Sequence, residues 1–161
     1  MQQLPSGADF NTGASGHLPL RSHRARLGHS LWLGLALLVW LLTTIWVRPL
    51  ALPDEGRYAG VAWEMVRSGQ WLTPTLDGLP YFHKPPMFYW LTAIAIKLFG
   101  FAEWSVRLAS LTGALVAAGA TWRLMQRWVS PTAARWSLAV AGTMPLFYGG
   151  AQYANHDMLV A

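Results

Sequence analysis

Three long apolar runs divide the chain, and each is bounded by charged or turn-forming residues. They cover about residues 30–47, 105–122 and 136–154. A helix of about 18 to 20 apolar residues crosses a hydrocarbon core of about 30 Å. The pattern therefore predicts an all-α polytopic membrane protein with about three transmembrane helices. Pro145 is expected to kink the third helix.

The first run, Ser30 to Val47, carries no charge and follows Arg21, Arg24 and Arg26. A cleavable signal peptide is the alternative, but its apolar core is shorter and a small-residue cleavage site follows it. Here the sequence after the run begins with Arg48 and Pro49, which suits cleavage poorly. We expect an uncleaved anchor, and the preceding arginines place the N-terminus in the cytoplasm.

The two ends of the chain differ in composition. Residues 1–29 are rich in Gly, Ser, Pro and basic side chains, which predicts a disordered basic cytoplasmic tail. Residues 30–161 are predicted to form the N-terminal part of a larger membrane domain. The chain stops on the apolar residues Leu159 to Ala161, from which we expect a truncated reading frame.

The segment between the first two runs, residues 48–104, is predicted to form a loop on the outer side. Within it, Asp54 is placed to cap a helix from Glu55 to Ser68, which Gly69 would end. Apolar and polar residues alternate there at helical spacing, so we expect an amphipathic helix lying on the membrane surface. Residues 70–84 contain several Pro and Gly and predict a turn-rich loop.

Met87 to Phe101 is also apolar, but Lys97 and Gly100 interrupt it. Its uncharged part would be about 15 Å long as a helix, half of a hydrocarbon core. We therefore expect an interfacial or re-entrant helix. The second span, lengthened by a snorkelling Arg107, then runs inward, and the basic loop before the third span is cytoplasmic. This topology brings Asp157 to the same outer face as Asp54.

Composition supports a membrane protein and narrows its partners. Hydrophobic residues make up 53% of the chain, charged residues only 12%, and there are ten Trp. The net charge is +5, but the basic residues are not interleaved with stacking aromatics, so no nucleic-acid partner is expected. The chain has no cysteine, which excludes thiolate chemistry.

The predicted outer face collects side chains that can carry chemistry. Each has an ordinary alternative: Asp54 as a helix cap, Glu55 as a helix-dipole partner, Lys84 as an interfacial anchor. Two histidines and two acids could bind a divalent metal, although their spacing matches no compact metal motif. The residues on this face are Asp54, Glu55, Arg57, Tyr58, His83, Lys84, His156 and Asp157.

Several motifs of the outer loop occur in a fixed order. They are Asp54-Glu55-Gly56-Arg57-Tyr58-Ala59, Ser68-Gly69-Gln70-Trp71-Leu72-Thr73-Pro74 and Gly78-Leu79-Pro80-Tyr81-Phe82-His83-Lys84-Pro85-Pro86. Together they resemble the first periplasmic loop of the GT-C integral-membrane glycosyltransferases, which use polyprenyl-phosphate sugars. The resemblance is to the lipid A aminoarabinose transferases and to the related protein O-mannosyltransferases, and it covers about residues 31–161.

The resemblance implies a bacterial inner-membrane enzyme with its site on the periplasmic face. It would move a glycosyl group, with inversion, from a polyprenyl-phosphate sugar to a lipid A, glycan or protein acceptor. Asp54 and Asp157 would be the catalytic acids. Lys84 and Tyr58 would bind the substrate near its lipid phosphate, and we expect Glu55 and His83 to bind it as well. His83 departs from the glutamate that aminoarabinose transferases carry before this lysine.

Two other interpretations remain open from the sequence. The first is a membrane transporter, although transporters place ionisable groups near the bilayer midplane and these acids lie at the ends of the predicted spans. The second is an inactive truncated fragment of such a transferase, which would only pack against partner helices.

Overall fold

The structure is a computed structural model, and it describes residues 21–160, with side chains from Trp32 to Val160. A disordered tail was predicted for residues 1–29. Residues 1–20 lie outside this part, and the prediction is wrong for residues 21–29, which form the first turns of a helix. The described residues are mostly helical, as predicted. Their elements are α1 Arg21–Thr44, α2 Asp54–Ser68, β1 Thr75–Leu76, β2 Leu79–Pro80, α3 Met87–Phe99, α4 Glu103–Trp128, α5 Pro131–Thr143, α6 Pro145–Gln152 and α7 Asp157–Val160.

Helix α4 is the central element, and α3, α5, α6 and α7 all pack against it. At its N-terminal end, α4 joins α2 and α3 around a core that includes Tyr89 and Val106. Further along, it packs with α1, α5 and α6 around Leu41 and Ala114. The fold therefore has one core beside the outer loop and a second core between the long helices.

Of the described helices, α4 is long and apolar enough to cross a membrane. Trp32–Thr44 of α1 and Met87–Phe99 of α3 are shorter apolar segments. The structure bounds α3 close to the predicted interfacial helix. The number of spans, their topology and the interfacial placement stay predictions.

Helix α2 begins one residue earlier than predicted, and Asp54 does not cap it. Pro53 occupies the N-cap position and Asp54 is already helical, with no side-chain hydrogen bond to the helix end. The predicted end is confirmed: Gly69 adopts φ 71°, and its amide donates to the carbonyl of Met65. Only glycine takes this left-handed conformation at little cost.

The turn-rich loop contains a small antiparallel ladder that was not predicted. Thr75 pairs with Pro80 and Leu76 with Leu79. Asp77 and Gly78 form the turn with φ of 55° and 76°, which suits a two-residue hairpin. Glu64 of α2 holds this turn, because its carboxylate accepts from the Thr75 hydroxyl and the Asp77 amide, each at 2.6 Å.

The third apolar run forms two helices, α5 and α6, where one kinked helix was predicted. Met144 is extended at φ −75° and ψ 115°. A residue that precedes proline is pushed out of the helical region, which explains why the break falls there. Helix α6 then starts with Pro145, whose ring suits a first helical position.

The prediction that Arg107 snorkels is wrong. Arg107 does not extend towards the membrane surface, because its side chain is only 1% exposed. The guanidinium turns inward and meets the end of α1 and the start of α2. This contact joins α4 to the segment between α1 and α2.

Candidate functional site

Glu55 is the centre of a buried polar cluster between the start of α2, the segment before it and α4. Its side chain is 0% exposed and forms ion pairs with Arg48 at 2.7 Å and Arg107 at 3.1 Å. The amides of Ala51 and Ala154 also donate to it, each at 2.7 Å. The carboxylate is therefore surrounded by charged and neutral donors.

Arg107 links this cluster to the end of the first helix. Besides Glu55, it donates to the carbonyls of Ile45, Arg48 and Pro49, at 2.8 to 3.0 Å. These carbonyls come after the end of α1, where no helical N–H group is available to bond them. One arginine therefore joins α1, the loop before α2, and α4.

The electrostatics of Glu55 follow from these contacts. Burial alone would raise the pKa of Glu55, because it removes water from the charged form. The hydrogen bonds from Arg107, Arg48 and the two amides outweigh burial and hold the pKa at about 2. Glu55 is thus ionised at neutral pH. Because its oxygens are enclosed and bonded, the structure places it beneath the predicted substrate surface.

Lys84, His156 and Asp157 meet on the other side of α2. The Lys84 Nζ lies 3.0 Å from His156 Nε2, although 72 residues separate them in sequence. The same Nε2 lies 3.2 Å from Asp157 Oδ1. A cation, an imidazole and a carboxylate are therefore in contact, and the predicted meeting of Lys84 and Asp157 occurs through His156.

The segment that carries His156 and Asp157 is fixed by α4. The Ser110 hydroxyl donates to the Asn155 carbonyl at 2.9 Å and accepts from the Asn155 amide at 3.0 Å. The Asn155 side chain in turn donates to Asp157 Oδ2 at 2.6 Å and accepts from the His156 amide at 2.8 Å. These bonds set the orientation of the turn before α7.

Tyr58 connects this cluster to the start of α2. Its ring packs edge-on against His156, with centroids 6.2 Å apart. Burial raises the pKa of the Tyr58 hydroxyl, and the nearby charges of Asp54 and Asp157 raise it further. Tyr58 therefore stays protonated at neutral pH and lies within electrostatic reach of both predicted catalytic acids.

Asp54 and Arg57 lie side by side on the exposed side of α2. Their charged groups are 3.8 Å apart, and both side chains are partly exposed. A hydrogen bond with Tyr81 is the main cause that raises the pKa of Arg57. Asp54 is thus open to solvent, and its charged neighbour among the described residues is Arg57.

His83 is exposed and stacks on Tyr81, with ring centroids 4.7 Å apart. Among the residues that the structure describes, no group of three or more His, Asp or Glu side chains could hold a metal ion. His83 and His156 make different contacts, with Tyr81 and Lys84 respectively.

Comparisons with known proteins agree with this arrangement. The family of dolichyl-phosphate-mannose-protein mannosyltransferases matches residues 83–161. An undecaprenyl phosphate-alpha-4-amino-4-deoxy-L-arabinose arabinosyl transferase of Aeromonas salmonicida is 36% identical over 129 residues, which cover 80% of this chain and 24% of the relative. A namesake from Pseudomonas fluorescens is 36% identical over 124 residues, covering 76% and 22%.

Solved structures give the same result at the level of the fold. ArnT from Cupriavidus metallidurans in the apo state superposes with a TM-score of 0.75 at 34% identity, covering 84% of this chain and 25% of that one. The same protein bound to undecaprenyl phosphate gives 0.72 at 34% identity, covering 83% and 25%. The chain resembles part of a GT-C glycosyltransferase. It spans about a quarter of the length of these relatives, and their names do not favour a transporter.

Three features of this site were not found from the sequence. His156 was placed on the outer face, but its contact with Lys84 was not predicted. The roles of Ser110 and Tyr81 were also missed. A signal existed for one of them: Asn155, His156 and Asp157 are consecutive polar residues directly after an apolar run, which is costly unless they are bonded or solvated.

Proposed function

We propose that this chain forms the first part of an inner-membrane glycosyltransferase that uses a polyprenyl-phosphate sugar. The observation that carries the proposal is the contact of Lys84 with His156 and Asp157 beside α2, on a fold shared with ArnT. One of the ArnT structures is bound to undecaprenyl phosphate, which supports a donor of this class. The relatives' names support a polyprenyl-phosphate sugar as the donor. Lipid A is the acceptor that the motif resemblance implies, with a glycan or protein as the broader alternatives.

The proposed placement has three spans and an outer loop. Helix α1, helix α4 and the pair α5 and α6 would cross the inner membrane, with α2 and α3 in the periplasmic interface. The N-terminus would be cytoplasmic. This arrangement puts the Lys84 cluster and Asp54 at the periplasmic surface, where a lipid-linked donor presents its phosphate.

In the proposed reaction, the acceptor oxygen attacks the anomeric carbon while the bond to the polyprenyl phosphate breaks. Negative charge develops on the leaving phosphate, and a fixed cation there lowers the barrier. Lys84 is suited to this role because its ammonium is held by His156, and Arg57 supplies a second cation nearby. A single displacement inverts the anomeric centre.

Asp54 is the proposed general base for a hydroxyl acceptor. It is exposed at the start of α2, so an acceptor can reach it. A phosphate acceptor on lipid A is already ionised, and Asp54 would then orient groups with little proton transfer. Asp157 would position His156 and the acceptor, while Tyr58 and His83 would line the site.

The test uses the protein expressed from its complete gene, in membranes supplied with a polyprenyl-phosphate sugar. Lys84→Ala is expected to lower turnover by about 100-fold or more, as for loss of one transition-state donor. Asp54→Asn is expected to lower it by about 100-fold or more with a hydroxyl acceptor. Nuclear magnetic resonance of the product should show an inverted anomeric centre.

Matched controls are available for both substitutions. Lys97 is the other lysine of the outer loop and lies over the Trp71 ring at 5.8 Å, so Lys97→Ala should retain turnover. Asp77 sits in the exposed hairpin turn at φ 55°, which asparagine also tolerates, so Asp77→Asn should retain it too. Wild-type consumption of donor by Lys84→Ala and Asp54→Asn would refute the proposal.

A further inference from the structure

The His156 imidazole lies between the cation and the acid of the proposed site. Its Nε2 is 3.0 Å from Lys84 Nζ. A lysine ammonium has three donors and no acceptor. His156 must therefore accept through Nε2, which requires a neutral ring with its proton on Nδ1. Nδ1 is buried, with no partner among the described side chains and backbone.

We propose that neutral His156 is a positioning residue that aims the Lys84 ammonium at the donor phosphate, and that protonation of His156 releases Lys84. The proposal rests on the function proposed for Lys84. It adds an acid-sensitive control of donor binding at that site.

Hydrogen bonds fix the backbone at His156, and the ring packs against Tyr58. The turn that carries it is bonded to Ser110 of α4 through the Asn155 backbone. The Asn155 side chain accepts from the His156 amide. The Tyr58 ring packs against the imidazole at an interplanar angle of 85°. Nε2 is thus a fixed acceptor, whereas a lysine side chain without a partner is flexible.

The groups that face the imidazole determine the result of protonation. They are Lys84 from the loop before α3, Tyr58 from α2, and Asp157 on its own segment. Asp54, Arg57 and Tyr81 lie behind Tyr58, within its electrostatic reach. Within this set, Asp157 is the anion in direct contact with the ring.

A protonated imidazole donates from both nitrogens and cannot accept from Lys84. Its Nε2–H would turn to Asp157, already 3.2 Å away, and a second cation would repel the ammonium. Lys84 would then leave its position. Histidine ordinarily changes charge between about pH 5 and 8. The affinity for a lipid phosphate should therefore fall on the acid side of neutrality while the fold is kept.

The experiment compares His156→Gln, His156→Leu and Lys84→Ala in the protein expressed from its complete gene. The dissociation constant for undecaprenyl phosphate and the ratio kcat/KM are measured from pH 5.5 to 8.5. Glutamine offers a carbonyl near the position of Nε2 and does not titrate. His156→Gln should bind within about threefold of wild type at pH 8 and lose the acid-side decline, since the acceptor is kept.

His156→Leu should bind about tenfold or more weakly at all pH values, the effect of losing one hydrogen bond to a charged group. An acid-side decline in His156→Gln equal to that of wild type would overturn the proposal. Wild-type affinity in His156→Leu would overturn it as well. If His156→Leu does not fold, as judged by thermal unfolding, the profiles of wild type and His156→Gln decide alone.

Lys84→Ala separates this proposal from the function on which it rests. If Lys84→Ala binds and turns over like wild type, the proposed role of Lys84 fails. If Lys84→Ala loses binding while both His156 variants match wild type in affinity and pH profile, the role of His156 alone fails.

Discussion

Glu55→Gln is expected to destabilise the outer loop strongly, although the two side chains have nearly the same shape. The substitution removes a charge that Arg48 and Arg107 both contact. In the folded protein the pKa of Glu55 is about 2, against an ordinary value of 4.5. Since one pKa unit corresponds to 1.36 kcal/mol, the folded environment favours the ionised form by about 3 kcal/mol. Removing one partner of a buried ion pair costs a similar amount, about 3 to 5 kcal/mol.

The measurement is equilibrium unfolding of the detergent-solubilised protein, followed by tryptophan fluorescence. Glu64→Gln is the matched control, because Glu64 lies on the same helix but contacts the exposed hairpin turn. It should cost about 1 kcal/mol, as for ordinary hydrogen bonds. A double-mutant cycle of Glu55→Gln with Arg107→Gln should show a coupling free energy of about 1 to 3 kcal/mol. Equal unfolding free energies for the Glu55 and Glu64 variants would refute the reasoning.

The same contact predicts an acid dependence of stability. A carboxyl whose pKa is lowered by folding stabilises the protein fully above its unfolded pKa, here about 4.5. That contribution decreases as the pH falls towards about 2. Wild type should therefore lose stability in this window, and Glu55→Gln should lose less. Parallel curves for the two proteins would contradict this expectation.

Three glycine substitutions test other parts of the structure. A Cβ on Gly113 would overlap the backbone carbonyl of Met158, so Gly113→Ala should displace α7 with Asp157 and lower donor turnover. Gly119 has open space, so Gly119→Ala should retain turnover and gain up to about 1 kcal/mol of unfolding free energy. Equal turnover in these two variants would contradict the placement of α7. Gly69→Ala forces a side chain into φ 71° and should lower the unfolding free energy by about 1 kcal/mol in the same assay. An unchanged unfolding midpoint would contradict the left-handed end of α2 at Gly69.

The elements predicted correctly are those with a local signal. The apolar runs located α1 and α4. Gly69 marked the end of α2, because one glycine is enough to supply the left-handed conformation that ends a helix. The break at Met144 was underestimated as a kink. A proline disfavours helix at the preceding residue, but the neighbouring helices decide whether the chain bends or stops.

The site was predicted only in part, because contacts between residues that are far apart in the sequence leave no local pattern. Asp54, Lys84 and Asp157 were assigned through motifs, and the structure joins Lys84 to Asp157 through His156. Arg107 was predicted to snorkel because its neighbours in sequence are apolar. Its partner Glu55 lies 52 residues earlier, and no local pattern indicates that the two charges meet.

The Glu55 cluster also imposes an order of assembly during synthesis. The Glu55 carboxylate is made 52 residues before Arg107 and 99 residues before the amide of Ala154. Until those residues have been translated, only Arg48 and Ala51 of its final partners are present, and water must solvate the remaining positions. Helix α2 can therefore complete these contacts only after α4 and the segment that contains Ala154 have been translated.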